Sequence, residues 1–158
     1  MTVYPHRDSV PPETWARLFG SGTREVGVLA DSGFLLVEDS VLVGVLAERA
    51  RAGVLVRVCL ADLVMSDGPE SERERSAIRQ IAAGLREGLG AAEFRLHVVG
   101  DYNTICYADD DLMVVQHIYG LPAGEAPVLR LRRAGGGDMV RAYRGSFERI
   151  WAGARSLG

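Results

Sequence analysis

Two kinds of hydrophobic pattern alternate through the first half of the chain. "EVGVLA" (25–30) and "VLVRVCLAD" (54–62) are short, nearly unbroken apolar runs rich in β-branched residues, which predicts strands covered on both faces. Between and around them the apolar positions fall at helical spacing. "ETWARLFG" follows Pro11 and Pro12 and predicts a short helix that Pro12 starts and Gly20 ends. A second helix is predicted over roughly 38–52, with Val41, Leu42, Val45, Leu46 and Ala50 near one face and Gly53 closing it. The stretch "SDGPESERERSAIRQIAAGLREGL" predicts the longest helix. Glu70, Glu72 and Glu74 suit the positive end of its dipole, and Ala77, Ile78, Ile81, Ala82 and Leu85 form its apolar stripe. The second half changes character. "EFRLHVV" (93–99), "YNTICYA" (102–108), "LMVVQHIY" (112–119) and "PVLRLRR" (127–133) predict four strands joined by short turns. "GGGD" then reads as a turn before a closing amphipathic helix, "MVRAYRGSFERIWAGARSL". This order predicts an α/β fold in which a mixed sheet has helices on both faces. It predicts a single domain over 1–158, with an irregular arm and short helix over 1–22 and the α/β core over 23–158.

Composition narrows the possible functions. The 158 residues are 47% apolar and 25% charged, with a formal net charge of -3. That balance argues against a nucleic-acid binder working through bulk electrostatics. The chain contains no lysine, so all 18 cations are arginines, a bias that fits a GC-rich coding genome. The amino end lacks the basic and apolar segments of a secretory signal, and no apolar run is long enough to span a bilayer, so a cytoplasmic protein without membrane contact is expected. Cys59 and Cys106 are far apart in apolar runs, which predicts buried free thiols. No pairing of His6, His97, His117, Cys59 and Cys106 has zinc-ligand spacing, and Asp109, Asp110 and Asp111 read as a solvated hairpin turn. Neither a metal nor a cofactor is expected.

The candidate chemistry lies in "YNTICYADD" and the "QHIYG" that follows it. In an extended 102–108, Tyr102, Thr104, Cys106 and Ala108 share one face, with Asn103, Ile105 and Tyr107 on the other. On the next strand Met113, Val115, His117 and Tyr119 share a face. Pairing these strands would gather Tyr102, Thr104, His117 and Tyr119 into one polar neighbourhood, with Asp109 near the turn. Asp31, Ser32 and Asp62 end the two apolar strands, where open α/β sheets collect ligands. Helix and turn capping would account for them equally well.

The spacing Tyr102-x-Thr104-x-x-x-x-Asp109, followed by Gln116-His117-x-Tyr119, resembles the signature of the phospholipase D superfamily, H-x-K-x-x-x-x-D and then G-S-x-N. The resemblance implies a phospholipase D-like fold. It places Tyr102 where that family has its attacking histidine, Thr104 where it has its phosphate-binding lysine, and His117 where it has a serine. Only Asp109 is kept. A phenol and a hydroxyl supply neither the imidazole nor the cation that phosphoryl transfer needs. "VYPHRDSVPPETW", "AGVLVRVCLAD", "YNTICYADDDLMVVQHIYG" and "APVLRLRR" also resemble a group of actinobacterial domains that sit carboxy-terminal to repressor-type helix-turn-helix domains.

These readings converge on a catalytically degenerate phospholipase D-like cleft used for sensing, the effector part of a transcriptional regulator. Tyr102, Asn103, Thr104, His117 and Tyr119 are expected to line it. Asp31, Ser32, Asp62 and Asp109 are expected at its margin, with Arg7 of "YPHRD" folding over it as a forked donor. The expected ligand is a neutral or amphipathic small molecule. A homodimer is expected by analogy with small relatives, and DNA contact only through a helix-turn-helix domain that these residues do not include. The competing reading is a hydrolase or transferase using His117, with Tyr102 or Asp109 as its acid-base partner.

Overall fold

The computed structural model describes residues 1–30, 36, 40–61, 72–73, 76, 79–80, 83–84, 87, 91–99 and 102–156. Eight strands run in the order β1 (Thr2–Tyr4), β2 (Glu25–Ala30), β3 (Leu55–Ala61), β4 (Glu93–His97), β5 (Thr104–Ala108), β6 (Asp111–Val115), β7 (Val128–Leu131) and β8 (Arg155–Ser156). They form one mixed sheet in the spatial order β1-β7-β6-β5-β2-β3-β4-β8. The three central strands β2, β3 and β4 are parallel, and every other pairing is antiparallel. The parallel trio comes from the apolar runs of the first half; the hairpin β5–β6 and strand β7 come from the second.

Alternation along the strands sorts the core into two layers. Val26, Val28, Val56, Val58, Leu60, Cys106, Met113 and Val115 face helices α1 (Pro12–Gly20) and α2 (Ser40–Arg51), meeting Trp15, Leu18, Phe19, Leu42 and Leu46. Leu29, Cys59, Ile105, Tyr107, Leu112, Val114 and Leu131 face helix α3 (Arg133–Gly153), meeting Val140, Phe147 and Trp151. Cys59 and Cys106 are therefore buried free thiols on opposite faces of the sheet.

Several expectations need correction. The arm is not irregular throughout: Thr2–Tyr4 pair antiparallel with Val128–Arg130, because β7 would otherwise leave its outer backbone groups unpaired. "GGGD" is no turn, since α3 begins at Arg133 and runs through the three glycines; its burial of Val140, Phe147 and Trp151 overrides their poor helix propensity. The chain also leaves α3 at Ala154 and adds the short β8 beside β4. In α2, Leu42, Leu46 and Ala50 are buried, whereas Val41 is 61% exposed and lies off that face. Of the long third helix, the described positions between 72 and 87 are helical and exposed, which is its polar face; its apolar stripe lies outside the described residues.

Candidate functional site

The carboxyl ends of β2, β3 and β4, the start of β5 and the exit from β6 all lie along one edge of the sheet. Thr104 opens β5 beside Val115 of β6 and is buried. Two residues past Val115, the His117 imidazole turns back, and its Nε2 lies 3.0 Å from Thr104 Oγ1. The His117 backbone N–H donates to Asn103 Oδ1 at 3.1 Å, which pins the imidazole-bearing backbone to the strand before it. Asn103 Nδ2 reaches Gln116 Oε1 at 3.5 Å, and Gln116 Nε2 donates to the Tyr143 hydroxyl of α3 at 2.9 Å.

The sheet divides this polar group in two. Thr104 alternates with Cys106 and Ala108 and so belongs to the α1/α2 face. Gln116 and Asn103 point the other way, to Tyr143 on α3. Tyr102 is on the α3 side too, which corrects its expected place beside Thr104. It packs against the α3 core, and its hydroxyl makes a short hydrogen bond with Ser146. It precedes β5, so the pleat no longer fixes its direction. Its ring gains burial and its hydroxyl a partner by turning to the helix.

Two further expected site residues lie elsewhere. Asp109 occupies the hairpin turn at the opposite end of β5, in the left-handed region at φ 53. Its Oδ2 accepts from Thr23 N at 3.0 Å and Thr23 Oγ1 at 3.2 Å; its Oδ1 accepts from Arg24 N at 2.9 Å and Glu25 N at 3.0 Å. Burial alone would raise its pKa, but the bonds from the backbone of Thr23, Glu25 and Arg24 outweigh it and hold the carboxyl at about 2. Asp109 thus fastens the hairpin to the start of β2, across the length of the strands from Thr104. Tyr119 is fully exposed, because the chain leaves β6 at Val115 and alternation no longer carries to 119. Arg7 does reach the edge that holds His117: its backbone N–H donates to the Ala126 carbonyl at 2.8 Å, just ahead of Pro127, whose carbonyl accepts from Gln116 N. Its guanidinium lies 3.8 Å from Asp8. Asp31, Ser32 and Asp62 lie outside the described residues.

Among the described residues, no three histidine, cysteine or acidic side chains are grouped to hold a metal, and no helix is long and apolar enough to cross a membrane.

Sequence reasoning passed over two buried polar groups. Arg57, the single charge in the β3 run, is 7% exposed. It donates to the Tyr107 hydroxyl through Nη2 at 2.7 Å, to Glu25 at 3.1 Å and to both oxygens of Glu148 on α3. Its guanidinium stacks 4.9 Å from the Phe147 ring centre, and Arg144 covers Tyr107 at 3.6 Å. Burial opposes its charge, but Glu148 and Tyr107 outweigh that and raise the pKa. The charge inside "VLVRVCLA" was the available signal; its partners lie too far along the chain to be inferred. The second group is His97, at the end of β4 and 2% exposed.

At the level of sequence, no protein-family model and no curated protein matches this chain. Solved structures do. TrmBL2, an archaeal chromatin protein with a novel mode of DNA binding, superposes with a TM-score of 0.65 at 16% identity over 99% of this chain and 53% of its own. Nuc from Salmonella typhimurium, a phospholipase D family member, gives 0.60 at 11% identity, over 98% of this chain and 94% of its own. The fold is phospholipase D-like. Phosphatidylserine synthase from Haemophilus influenzae Rd KW20 shares it with a TM-score of 0.57 at 10% identity, over 98% of this chain and 39% of that one. The chain thus spans about half of the chromatin protein and nearly all of Nuc.

Proposed function

We propose that this phospholipase D-like chain is a regulatory, ligand-binding domain that carries out no phosphodiester chemistry, the effector part of a transcriptional regulator. One observation carries the reading: Thr104 and His117 form a hydrogen-bonded pair at the carboxyl edge, while Tyr102 faces α3 and is spoken for by Ser146. By the resemblance in spacing, those are the positions of the attacking histidine and the anchoring lysine. Phosphoryl transfer requires an attacking imidazole and cations to hold the developing charge. A phenol turned to the helix and a hydroxyl bound to an imidazole offer neither, and the chain has no lysine to substitute. What remains is a hydroxyl and an imidazole able to give and take hydrogen bonds with an uncharged small molecule. TrmBL2 supports the regulatory half, since a DNA-binding chromatin protein devotes about half its length to this fold. We further propose that the domain pairs with a second copy of itself, ligand occupancy biasing the pair.

Screening small-molecule metabolite fractions for a rise in melting temperature tests the reading. A fraction should raise it by several degrees in the parent and not in His117→Ala or Thr104→Val. Turnover of bis(p-nitrophenyl) phosphate by the parent that His117→Ala abolishes would overturn it in favour of a hydrolase built on His117. Stabilisation that survives both substitutions would place binding away from this edge.

A further inference from the structure

His97 ends β4, yet its side chain does not stay on β4. Nε2 lies 3.2 Å from the carbonyl oxygen of Ala30, the last residue of β2. Strand β3 lies between them, with Ala61 paired to His97 and Leu60 to Ala30. The imidazole therefore spans the carboxyl end of β3. A carbonyl only accepts, so Nε2 carries the ring proton and Nδ1 of the neutral ring is left as an acceptor. That Nδ1 is buried and has no hydrogen-bond partner. Buried polar atoms nearly always have one, and an unmet acceptor inside a protein is costly. The cost is easiest to understand where the atom is kept for something that arrives later.

Its position says what arrives. Leu29 pairs with Ile105, which sets Ala30 level with Thr104 on the neighbouring strand. By crossing β3, the His97 ring comes within about one strand spacing, roughly 5 Å, of the strand that carries Thr104. Along the edge the order is His117, Thr104, the Ala30 carbonyl and His97, two imidazoles flanking one strand end.

We infer that His97 is the second imidazole of the Thr104–His117 site, presenting Nδ1 as an acceptor to a hydroxyl or amino group of the ligand. This rests on the binding reading above and deepens it: the ligand is a neutral molecule that must bring a hydrogen-bond donor. An acceptor-only anion has nothing to give this nitrogen.

The chain has three histidines, so imidazole ¹⁵N spectra of histidine-labelled protein can be assigned with His6→Gln and His117→Gln variants. Before any addition, Nδ1 of His97 should be the unprotonated ring nitrogen; the opposite tautomer overturns the inference. Ribose and glycerol serve as hydroxyl-bearing probes and acetate as the acceptor-only control. The inference expects His97 Nδ1 and His117 to shift on one saturation curve with a hydroxyl probe and not with acetate. It also expects His97→Gln to weaken that probe by about tenfold, the value of one hydrogen bond. A saturable shift of His117 alone removes His97 from the site and leaves the binding reading intact. A shift of His97 alone separates it from Thr104–His117 and overturns the shared site. No shift at either histidine overturns both. A single slowly exchanging water bound to Nδ1 that persists at saturating probe would show a structural water as its partner, and the inference would fall.

Discussion

The Tyr107 ring lies over Gly27 on the neighbouring strand, in the space that any side chain at position 27 would need. A Cβ there would stand 2.7 Å from the phenol oxygen and closer still to the ring carbons. The close approach lets the Tyr107 hydroxyl meet Arg57 across β2 and brings the ring edge-on to Phe147, 4.9 Å between centres. Gly27 thus makes room for the ionic and aromatic network that joins α3 to the sheet.

Gly27→Ala is accordingly expected to be far more costly than a glycine-to-alanine change in an open strand, which is usually neutral or stabilising. Tyr107 must move, and Arg57 then loses the hydroxyl that its Nε and Nη2 share. The loss should be about 2–4 kcal/mol, from overpacking together with an unmet buried donor. Urea unfolding measures it. A change below about 0.5 kcal/mol would mean the ring has another place to go.

Asp109 predicts an acid-sensitive stability component. Its carboxyl titrates at about 2 when folded against an ordinary value of 3.8. A depressed pKa stabilises the folded state above the unfolded value, and that contribution is lost as pH falls through the folded one. The window therefore runs from about pH 4 down to about 2, and the contribution is about 2 kcal/mol at neutral pH. Asp109→Ala should lower neutral-pH stability by at least that amount and flatten the acid limb of the stability profile. Parallel acid limbs for parent and variant would assign the acid sensitivity elsewhere, Glu148 beside Arg57 being the next group whose pKa is lowered.

Both thiols should be inert in the native state. Burial pushes Cys59 and Cys106 up to about 12, so thiolate is scarce at neutral pH, and neither sulfur is exposed. An aromatic disulfide reagent should label neither thiol in the folded protein at pH 7.5 and both in denaturant. Rapid labelling of one thiol in the native state would show that its side of the sheet opens locally.

Much of this molecule was legible from periodicity. "EVGVLA" and "VLVRVCLA" are β2 and β3, the tight turn at Asp109–Asp110 makes the β5–β6 hairpin, and the phospholipase D-like frame follows from their order. Local pattern suffices there because a strand covered on both faces, or a two-residue reversal, writes itself into adjacent residues. The candidate site was legible in part. Thr104 and His117 meet, as pairing of two strands with the right offset requires, but Tyr102, Asp109 and Tyr119 do not join them. Alternation predicts a face only while a residue is held in the pleat. Positions 102 and 119 lie beyond the strand ends, and 109 lies in the turn at the far end.

The sequence by itself determined which segments would be strands and helices and that the sheet would be mixed. These follow from the spacing of apolar side chains over a few residues. Only the tertiary structure decided which polar groups meet: Arg57 with Glu148, Asp109 with the backbone at 23–25, and His97 with the carbonyl of Ala30. Each of those pairs is separated by dozens of residues, and a buried polar atom takes whatever partner the packed sheet sets within reach. Such pairings leave no local pattern to read, because the folded sheet creates the proximity itself.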